Sequence, residues 1–148
     1  MGFYINKDKS LTWRGPMLSS ALKQIYNQTK WGDLDYLIID MPPGTGDAYL
    51  TIANEVNPDG IILVTTNNIM SAEDTLKSKI TFNKLEIPIL GFLINMYENG
   101  KGKYKMSAKE LQNLLDVNCF GTIYFDNNLA EFKSQTITKI FKPITEFI

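Results

Sequence analysis

The chain has 148 residues, of which 44% are hydrophobic and 11% aromatic, so it holds enough apolar material for one folded domain. Its 15 basic and 16 acidic side chains give a formal charge of −1, which argues against nucleic-acid binding because no overall positive field attracts phosphates. Histidine is absent and Cys119 is the only cysteine. These counts exclude histidine-dependent catalysis, histidine zinc sites and an internal disulfide.

No apolar run approaches the ~20 residues that a membrane helix needs. The amino-terminal segment lacks the charged-then-apolar pattern of a signal peptide. The sequence therefore predicts a cytoplasmic protein without a membrane partner.

Helical periodicity marks two segments in the first part of the chain. A helix is predicted after Gly15-Pro16, where proline suits a helix start, and a second behind Asp47, which suits an N-cap. The apolar stripes of these two helices are Leu18, Ala21, Leu22, Ile25 and Tyr26, and then Tyr49, Ile52, Ala53 and Val56.

Three more helices are predicted further along the chain. The third follows Ser71, and the fourth opens with a capping box between Ser107 and Glu110. The fifth covers residues 137–148, with a kink expected at Pro143. The predicted stripe of the third helix is Ala72, Leu76 and Ile80.

Four apolar runs alternate with these helices, at residues 36–40, 60–66, 88–95 and 121–125. Continuous apolar runs are typical of strands that are buried on both faces of a parallel sheet. The alternation of strand and helix predicts right-handed βαβ units, so the predicted fold class is α/β with a parallel sheet. The polar residues 97–105 are predicted to form an exposed loop.

Polar side chains at the carboxyl ends of the predicted strands are the first candidates for ligand binding, because open parallel sheets bind ligands at that edge. They are Asp40, Thr65, Thr66, Asn95 and Asp126. An apolar strand that ends in aspartate, followed by a glycine-rich turn, is the arrangement with which P-loop NTPases hold Mg²⁺. On strand position alone, a structural role for Asp40 as a cap or turn residue is the favoured interpretation.

The sequence W-R-G-P-M-L at residues 13–18 is followed by W-G-D-L-D-Y-L-I-I-D-M-P-P-G-T-G-D at residues 31–47. These segments resemble the middle of Mrp/ApbC-type proteins, an iron-sulfur cluster carrier ATPase family related to the MinD and ParA deviant-P-loop ATPases. The similarity continues at residues 62–66 and 88–91, at Asn95-Met96 and at residues 121–123, and it covers essentially the whole chain. The resemblance implies a three-layer, parallel-sheet P-loop NTPase-like fold of the MinD type, incomplete at its amino terminus, in one domain over residues 1–148.

The resemblance also implies ATP and Mg²⁺ as cofactors and a role for individual residues. Asp40 matches the family's aspartate that binds Mg²⁺ through water, and Asn95 matches an asparagine that contacts the adenine base. A side-chain amide suits base recognition because it donates and accepts hydrogen bonds at once. A strand-end turn is the alternative role for Asn95.

Two further segments match functional elements of the family. The match to the nucleotide-sensing switch is Pro42, Pro43, Gly44, Thr45, Gly46 and Asp47. The match to an element near the dimer interface and the switch is Trp13, Arg14, Gly15 and Pro16. A surface Trp-Arg pair ahead of a capped helix is the alternative for the second segment.

Three departures from the family pattern limit these implications. No G-x-x-x-x-G-K-[ST] phosphate loop occurs in the 148 residues, and the Gly-Lys pairs at residues 100–103 lack the earlier glycine and the following Ser or Thr. No Cys-x-x-Cys follows Asn95-Met96, and two copies of a chain with one cysteine supply only two of the four thiolates that a [4Fe–4S] cluster usually needs. Tyr124 stands where the family usually has proline; filling the core is its favoured role, and stacking on a base is the alternative.

The sequence therefore predicts an ATP-binding protein of iron-sulfur cluster assembly that carries the switch and base-recognition half of the nucleotide site. ATP and Mg²⁺ binding depend on a phosphate loop supplied from elsewhere, so the isolated chain should be nearly inactive, and carriage of an iron-sulfur cluster by this chain alone is not expected. The expected partners are a second copy or a P-loop-containing ATPase subunit, together with iron-sulfur client proteins.

Two other functions remain open. One is a non-catalytic scaffold or regulatory subunit that pairs with a complete P-loop ATPase. The other is a positioning protein like MinD or ParA, which is weaker because residues 137–148 carry only two lysines where such proteins often have a basic amphipathic membrane helix.

Overall fold

The computed structural model describes residues 15–41, 47–98, 102–126 and 141. The chain divides into two compact units, Met1–Asn57 and Pro58–Ile148, and each is described by itself. No helix in the described ranges is long and apolar enough to cross a lipid bilayer. The fifth predicted helix lies outside the described residues, apart from Phe141.

The first unit contains the first two predicted helices, α1 (Gly15–Gln28) and α2 (Asp47–Val56). They pack against each other. Thr51 Oγ1 donates a hydrogen bond of 2.8 Å to Ser19 Oγ, and an ion pair of 2.6 Å joins Lys23 Nζ to Glu55 Oε1. The predicted stripe of α2 is largely buried, since Tyr49, Ile52 and Ala53 are each less than one-tenth exposed. Both helix predictions are confirmed.

The strand predicted at residues 36–40 is wrong for this structure. Residues 30–41 form neither helix nor strand beyond isolated bends, and the side chain of Ile38 is 89% exposed. An apolar run becomes a strand only when a neighbouring backbone completes its hydrogen bonds. Residues 36–40 have no such neighbour in the part of the chain that the structure describes.

The second unit is built on a parallel sheet of three strands, β1 (Ile61–Thr65), β2 (Ile89–Tyr97) and β3 (Cys119–Tyr124), in the order β1-β2-β3. Helix α3 (Ile69–Lys84) connects β1 to β2, and α4 (Ala108–Leu115) connects β2 to β3. Both crossovers advance across the sheet in the same direction, so two right-handed connections place both helices on one face. The two helices pack against each other, as this arrangement requires.

The central strand β2 is the most deeply buried part of the sheet. Residues 91–94 of β2 are buried in succession, as expected for a strand covered on both faces. The outer strand β1 is less covered, and Val64 is 57% exposed. The α/β fold with a parallel sheet is therefore confirmed, with the third predicted strand as its centre.

Helix α3 begins at Ile69, three residues earlier than the sequence predicts. Its N-cap is Asn68, whose Oδ1 accepts a hydrogen bond of 2.9 Å from Met70 N. The buried face also differs from the predicted stripe, because it contains Ala72, Thr75 and Phe82 whereas Ile80 is 47% exposed. Asparagine and serine are comparable N-caps. Ser71 instead lies inside the helix, where its Oγ accepts a hydrogen bond from Thr66 N.

Helix α4 confirms its predicted capping box. Ser107 N donates to Glu110 Oε2 at 2.7 Å, and Glu110 N donates to Ser107 Oγ at 3.3 Å. The Ser107 hydroxyl also donates to Glu110 Oε2 at 2.7 Å. The two hydrogen bonds that the carboxylate accepts from Ser107, first from its backbone N–H and then from its hydroxyl, lower the pKa of the Glu110 carboxyl. At its other end the helix is capped by Lys79 of α3, whose Nζ donates to Leu115 O at 2.6 Å. Both ends of this short helix therefore have capping hydrogen bonds with side chains.

Candidate functional site

The carboxyl edge of the sheet in the second unit brings together several predicted site residues. Thr65 ends β1, Asn95 lies near the end of β2, and Asp126 follows β3 by two residues. Parallel strands place their carboxyl ends at one edge, which is where open α/β sheets bind ligands. The structure therefore supports this edge as the candidate site of the second unit.

The hydroxyl groups after β1 are used to close the local backbone. Thr65 is 2% exposed, and its Oγ1 donates to Thr66 O at 3.2 Å and lies 3.2 Å from Ser71 Oγ. Thr66 N donates to Ser71 Oγ at 3.1 Å. These contacts join the end of β1 to the first turn of α3, so the two threonines have a structural role at this edge.

Hydrogen bonds from the backbone and from the Asn67 side chain join Glu98 and residues 104–106 to the segment after β1. Asn67, which is 6% exposed, donates from Nδ2 to Glu98 O at 3.1 Å, and its carbonyl accepts from Met106 N at 2.9 Å. Ile69 N donates to Tyr104 O at 2.9 Å. This role of Asn67 is not predicted from the sequence, in which the only sign of it is a polar residue directly after a predicted strand.

An ion pair adds to this network on the solvent side. Lys105 Nζ lies 2.9 Å from Glu98 Oε2, and this hydrogen bond lowers the pKa of the Glu98 carboxyl. The two loops therefore form one connected rim beside the carboxyl end of β2. Of the predicted loop at residues 97–105, Glu98 and residues 102–104 form neither helix nor strand, as predicted, whereas Tyr97 belongs to β2. Residues 99–101 lie outside the described residues.

Asn95 is presented by an irregularity in β2. The register of β2 against β3 shifts between Ile94 and Tyr97, and Met96 has a left-handed φ of 51°. Asn95 is half-buried, and its Oδ1 accepts a hydrogen bond of 2.9 Å from Met96 N. Bulges of this kind redirect side chains at the ends of strands. Within the described residues, the Nδ2 of Asn95 makes no hydrogen bond.

The predicted site residues of the first unit are described only in part. Asp40 is exposed and lies in the segment without regular structure, and Pro16 is exposed near the start of α1. Gly15 and Asp47 are the first residues of α1 and α2. Outside the described residues lie Trp13, Arg14, Pro42, Pro43, Gly44, Thr45 and Gly46. Asp40 and Asn95 belong to different units, so a nucleotide site shared by both stays a prediction.

A family model of NUBPL iron-transfer P-loop NTPases, within the ParA group, matches residues 1–143. The chain belongs to this NTPase family. An iron-sulfur cluster carrier protein of Rickettsia conorii is 47% identical to this chain over 96 residues. These residues are 65% of this chain and 30% of that protein. The chain thus spans about 30% of the length of this curated relative.

Two solved structures have a fold similar to that of this NTPase chain. A nucleotide-binding protein of Archaeoglobus fulgidus, in complex with ADP, is 27% identical with a TM-score of 0.63, over 78% of this chain and 51% of that one. The cell division ATPase MinD of Pyrococcus furiosus has a TM-score of 0.65 at 19% identity, over 91% of this chain and 60% of that one. The second likeness concerns the fold alone, and it confirms the predicted MinD-type architecture.

The Asp40 carboxylate of this NTPase chain is an oxygen donor of the kind that Mg²⁺ prefers. The described residues contain no group of three or more cysteine or acidic side chains that could hold a metal ion. Mg²⁺ is commonly held by one or two carboxylates together with substrate phosphates and water, so the single exposed carboxylate of Asp40 fits this use.

Cys119 does not fit the role of a cluster ligand in this NTPase chain. It begins β3, at the opposite edge of the sheet from Asn95, and it is half-buried. Burial raises the pKa of its thiol, which disfavours the thiolate that binds iron. Its Sγ instead lies 3.7 Å from Gly121 O. The sequence-based expectation that this chain alone does not carry a cluster stays a prediction, with the placement of Cys119 as support.

Proposed function

We propose that this chain supplies the base-recognition and switch parts of a Mg²⁺·ATP site in an iron-sulfur cluster carrier ATPase. The observation that carries the proposal is the placement of Asn95, whose half-buried carboxamide lies at the carboxyl edge of a parallel sheet. The ADP held by the Archaeoglobus fulgidus relative of similar fold supports a nucleotide as the ligand.

The local hydrogen bond of Asn95 gives its amide a fixed orientation. Met96 N–H can only donate, so the side-chain atom that faces it must be the oxygen Oδ1. This leaves the second lone pair of Oδ1 and both hydrogens of Nδ2 for a ligand. An adenine edge offers an amino donor beside a ring-nitrogen acceptor, which complements an amide held in this orientation.

Asp40 and residues 42–47 provide the phosphate side of the proposed site. Asp40 would hold Mg²⁺ through water, and the bound Mg²⁺ would neutralise charge on the phosphates. The segment from Pro42 to Asp47 would sense the terminal phosphate, as the family resemblance implies. In this proposal Trp13, Arg14, Gly15 and Pro16 lie near a dimer interface and transmit the state of the switch to a partner.

Catalysis needs a phosphate loop from outside these 148 residues. Backbone N–H groups and a lysine of such a loop cradle the phosphates in P-loop NTPases, and none of the 148 residues forms that motif. We therefore place residues 1–148 in a single ATPase domain that is completed by a loop-bearing segment or subunit. Its clients are proteins that receive iron-sulfur clusters, as the name of the Rickettsia conorii relative suggests.

The base-reading role of Asn95 is testable in a hybrid chain, in which the phosphate-loop segment of another family member is fused ahead of residue 1. The hybrid should bind Mg²⁺·ATP in isothermal titration calorimetry. Asn95→Ala should weaken ATP binding by about tenfold, the cost of ~1.4 kcal/mol for a lost hydrogen-bonding partner. Binding of inorganic tripolyphosphate, which has no base, should not change.

Asn118→Ala is the matched control for this experiment. Asn118 is exposed and directly precedes β3, so the same substitution is made at the opposite edge of the sheet. Equal ATP affinities for the wild-type hybrid and Asn95→Ala would contradict base recognition by Asn95. A hybrid that folds but binds no ATP would contradict the proposed function as a whole.

The second candidate function is a non-catalytic scaffold or regulatory subunit for a complete P-loop ATPase. It is favoured by the sequence after Asn95-Met96, where no Cys-x-x-Cys pair occurs. Affinity capture of the tagged chain followed by mass spectrometry separates the two candidates. A stable P-loop partner that hydrolyses ATP equally well with wild-type chain and with Asn95→Ala would favour the scaffold.

A further inference from the structure

Two tyrosines form an aromatic pair at the carboxyl edge of β2 and β3. Tyr97 and Tyr124 are register partners, and their ring centroids lie 5.5 Å apart at an interplanar angle of 81°. Phe125 N donates to Tyr97 O at 3.1 Å, which extends the pairing of the two backbones past the end of β3. Edge-to-face geometry is a favourable arrangement for aromatic rings, so each ring restricts the position of the other.

The exposure of Tyr124 contradicts the core-filling role that the sequence favours for it. Its side chain is 55% exposed, and the neighbouring Phe125 is 56% exposed. An edge-to-face contact uses at most one of the two faces of a ring. Tyr124 therefore keeps aromatic surface open to solvent while Tyr97 holds it in place. A preorganised, exposed ring is suited to stacking on a flat ligand.

The aromatic pair lies close in sequence and strand register to Asn95, the candidate base-reading residue. Asn95 precedes Tyr97 by two residues in β2, across the irregularity at Met96, and Tyr124 pairs with Tyr97. A hydrogen-bonding amide identifies the edge of a base, and an aromatic ring binds its face. Recognition of one planar base needs both kinds of contact, and the ends of β2 and β3 carry a residue for each.

We propose that Tyr124, supported by Tyr97, stacks on the base of the bound nucleotide whose edge Asn95 reads. This inference rests on the proposed function and adds a residue that binds the face of the base. Asn95 then determines which base is preferred, whereas Tyr124 contributes binding strength that any base can use, since every base has a π-face. A proline at position 124 could not supply an aromatic face.

Adenosine tests this inference in the unmodified 148-residue chain, because it carries the base and needs no phosphate loop. Binding is followed by chemical-shift changes in NMR spectra during a titration with adenosine. Tyr124→Ala and Tyr124→Leu should each weaken adenosine binding by about tenfold or more, and Tyr124→Phe should keep it, because phenylalanine keeps the aromatic face. Tyr36→Ala is the matched control, since Tyr36 is 64% exposed and lies in the other unit.

Two results would overturn the inference. One is equal adenosine affinity in wild type, Tyr124→Ala and Tyr124→Leu. The other is an absence of adenosine binding to the wild-type chain. Either result leaves the proposed function open to its own test, because Mg²⁺·ATP binding by the hybrid chain and its dependence on Asn95 do not require stacking on Tyr124. The Leu variant removes the aromatic face while keeping apolar bulk, so loss in both variants is not explained by a void at this position.

Discussion

Phe92→Ala is expected to lower the free energy of unfolding by about 3–5 kcal/mol. Phe92 lies on the central strand β2 and is 0% exposed, and its backbone N–H donates to Asn118 O at 2.8 Å. Removing the ring takes buried apolar surface out of the centre of the sheet and leaves a cavity that the neighbouring strands fill only in part. Urea denaturation followed by circular dichroism measures the loss, with the slope of the transition compared between variants.

Phe125→Ala provides the control for this prediction. The same ring is removed from a side chain that is 56% exposed, so little buried surface is lost, and the effect should stay within about 1 kcal/mol. Equal destabilisation by the two substitutions would show that β2 is not the centre of the core.

Gly91→Ala is expected to destabilise the second unit by about 1–3 kcal/mol, although only a methyl group is added. A Cβ at position 91 would lie 2.7 Å from Asn118 O and 2.7 Å from Phe120 Cζ. The first neighbour is a backbone atom that accepts the hydrogen bond from Phe92 N, so it cannot move without weakening the contact between β2 and the segment before β3. The glycine permits the close approach of two backbones.

Gly121→Ala is the matched variant, in the adjacent strand β3. A Cβ there meets no atom within 4 Å, and alanine reduces the conformational entropy of the unfolded chain. We expect unchanged or slightly higher stability, seen as an unchanged or raised urea midpoint. If both glycine variants lost stability equally, the cause would be strand propensity and not the contact at Gly91.

The parallel sheet could be predicted from the sequence because a strand that is buried on both faces is a continuous apolar run. Residues 91–94 of β2 are buried in succession, and the continuous apolar run at residues 88–95 predicts this. The capping box of α4 is equally local, since Ser107 and Glu110 are three residues apart and bond to each other. Structural features that depend on one segment of the chain could therefore be predicted from the sequence.

Features that depend on a second segment could not be predicted in this way. The run at residues 36–40 has the composition of a strand, but sequence composition does not show whether a neighbouring backbone is present to pair with it. The hydrogen bond from Asn67 to Glu98 joins residues 31 positions apart, and no local pattern indicates it. Exposure of Tyr124 likewise depends on what covers the end of β3, so composition favoured the core for an aromatic residue.

The candidate site likewise has some features that could be predicted from the sequence and others that could not. Asn95 could be identified as a strand-end amide and as a match to the family's base-contacting residue. The left-handed backbone of Met96, which orients that amide, has no signal in the sequence, since methionine rarely adopts a positive φ. The aromatic partner Tyr97 fell within the predicted loop, whereas the structure continues β2 through that residue.

The most direct test of the account is ATP turnover by the hybrid chain that carries a phosphate loop ahead of residue 1, compared with its Asp40→Ala variant and with the unmodified 148-residue chain. We predict Mg²⁺-dependent ATP hydrolysis by the hybrid and no turnover by the unmodified chain. In Asp40→Ala the rate should fall by about 10²-fold or more, because the Mg²⁺ that neutralises the phosphate charge loses the carboxylate that holds it. ATP turnover by the unmodified chain that is abolished by Asp40→Ala would contradict the account, because the 148 residues would then form a complete catalytic site without the loop.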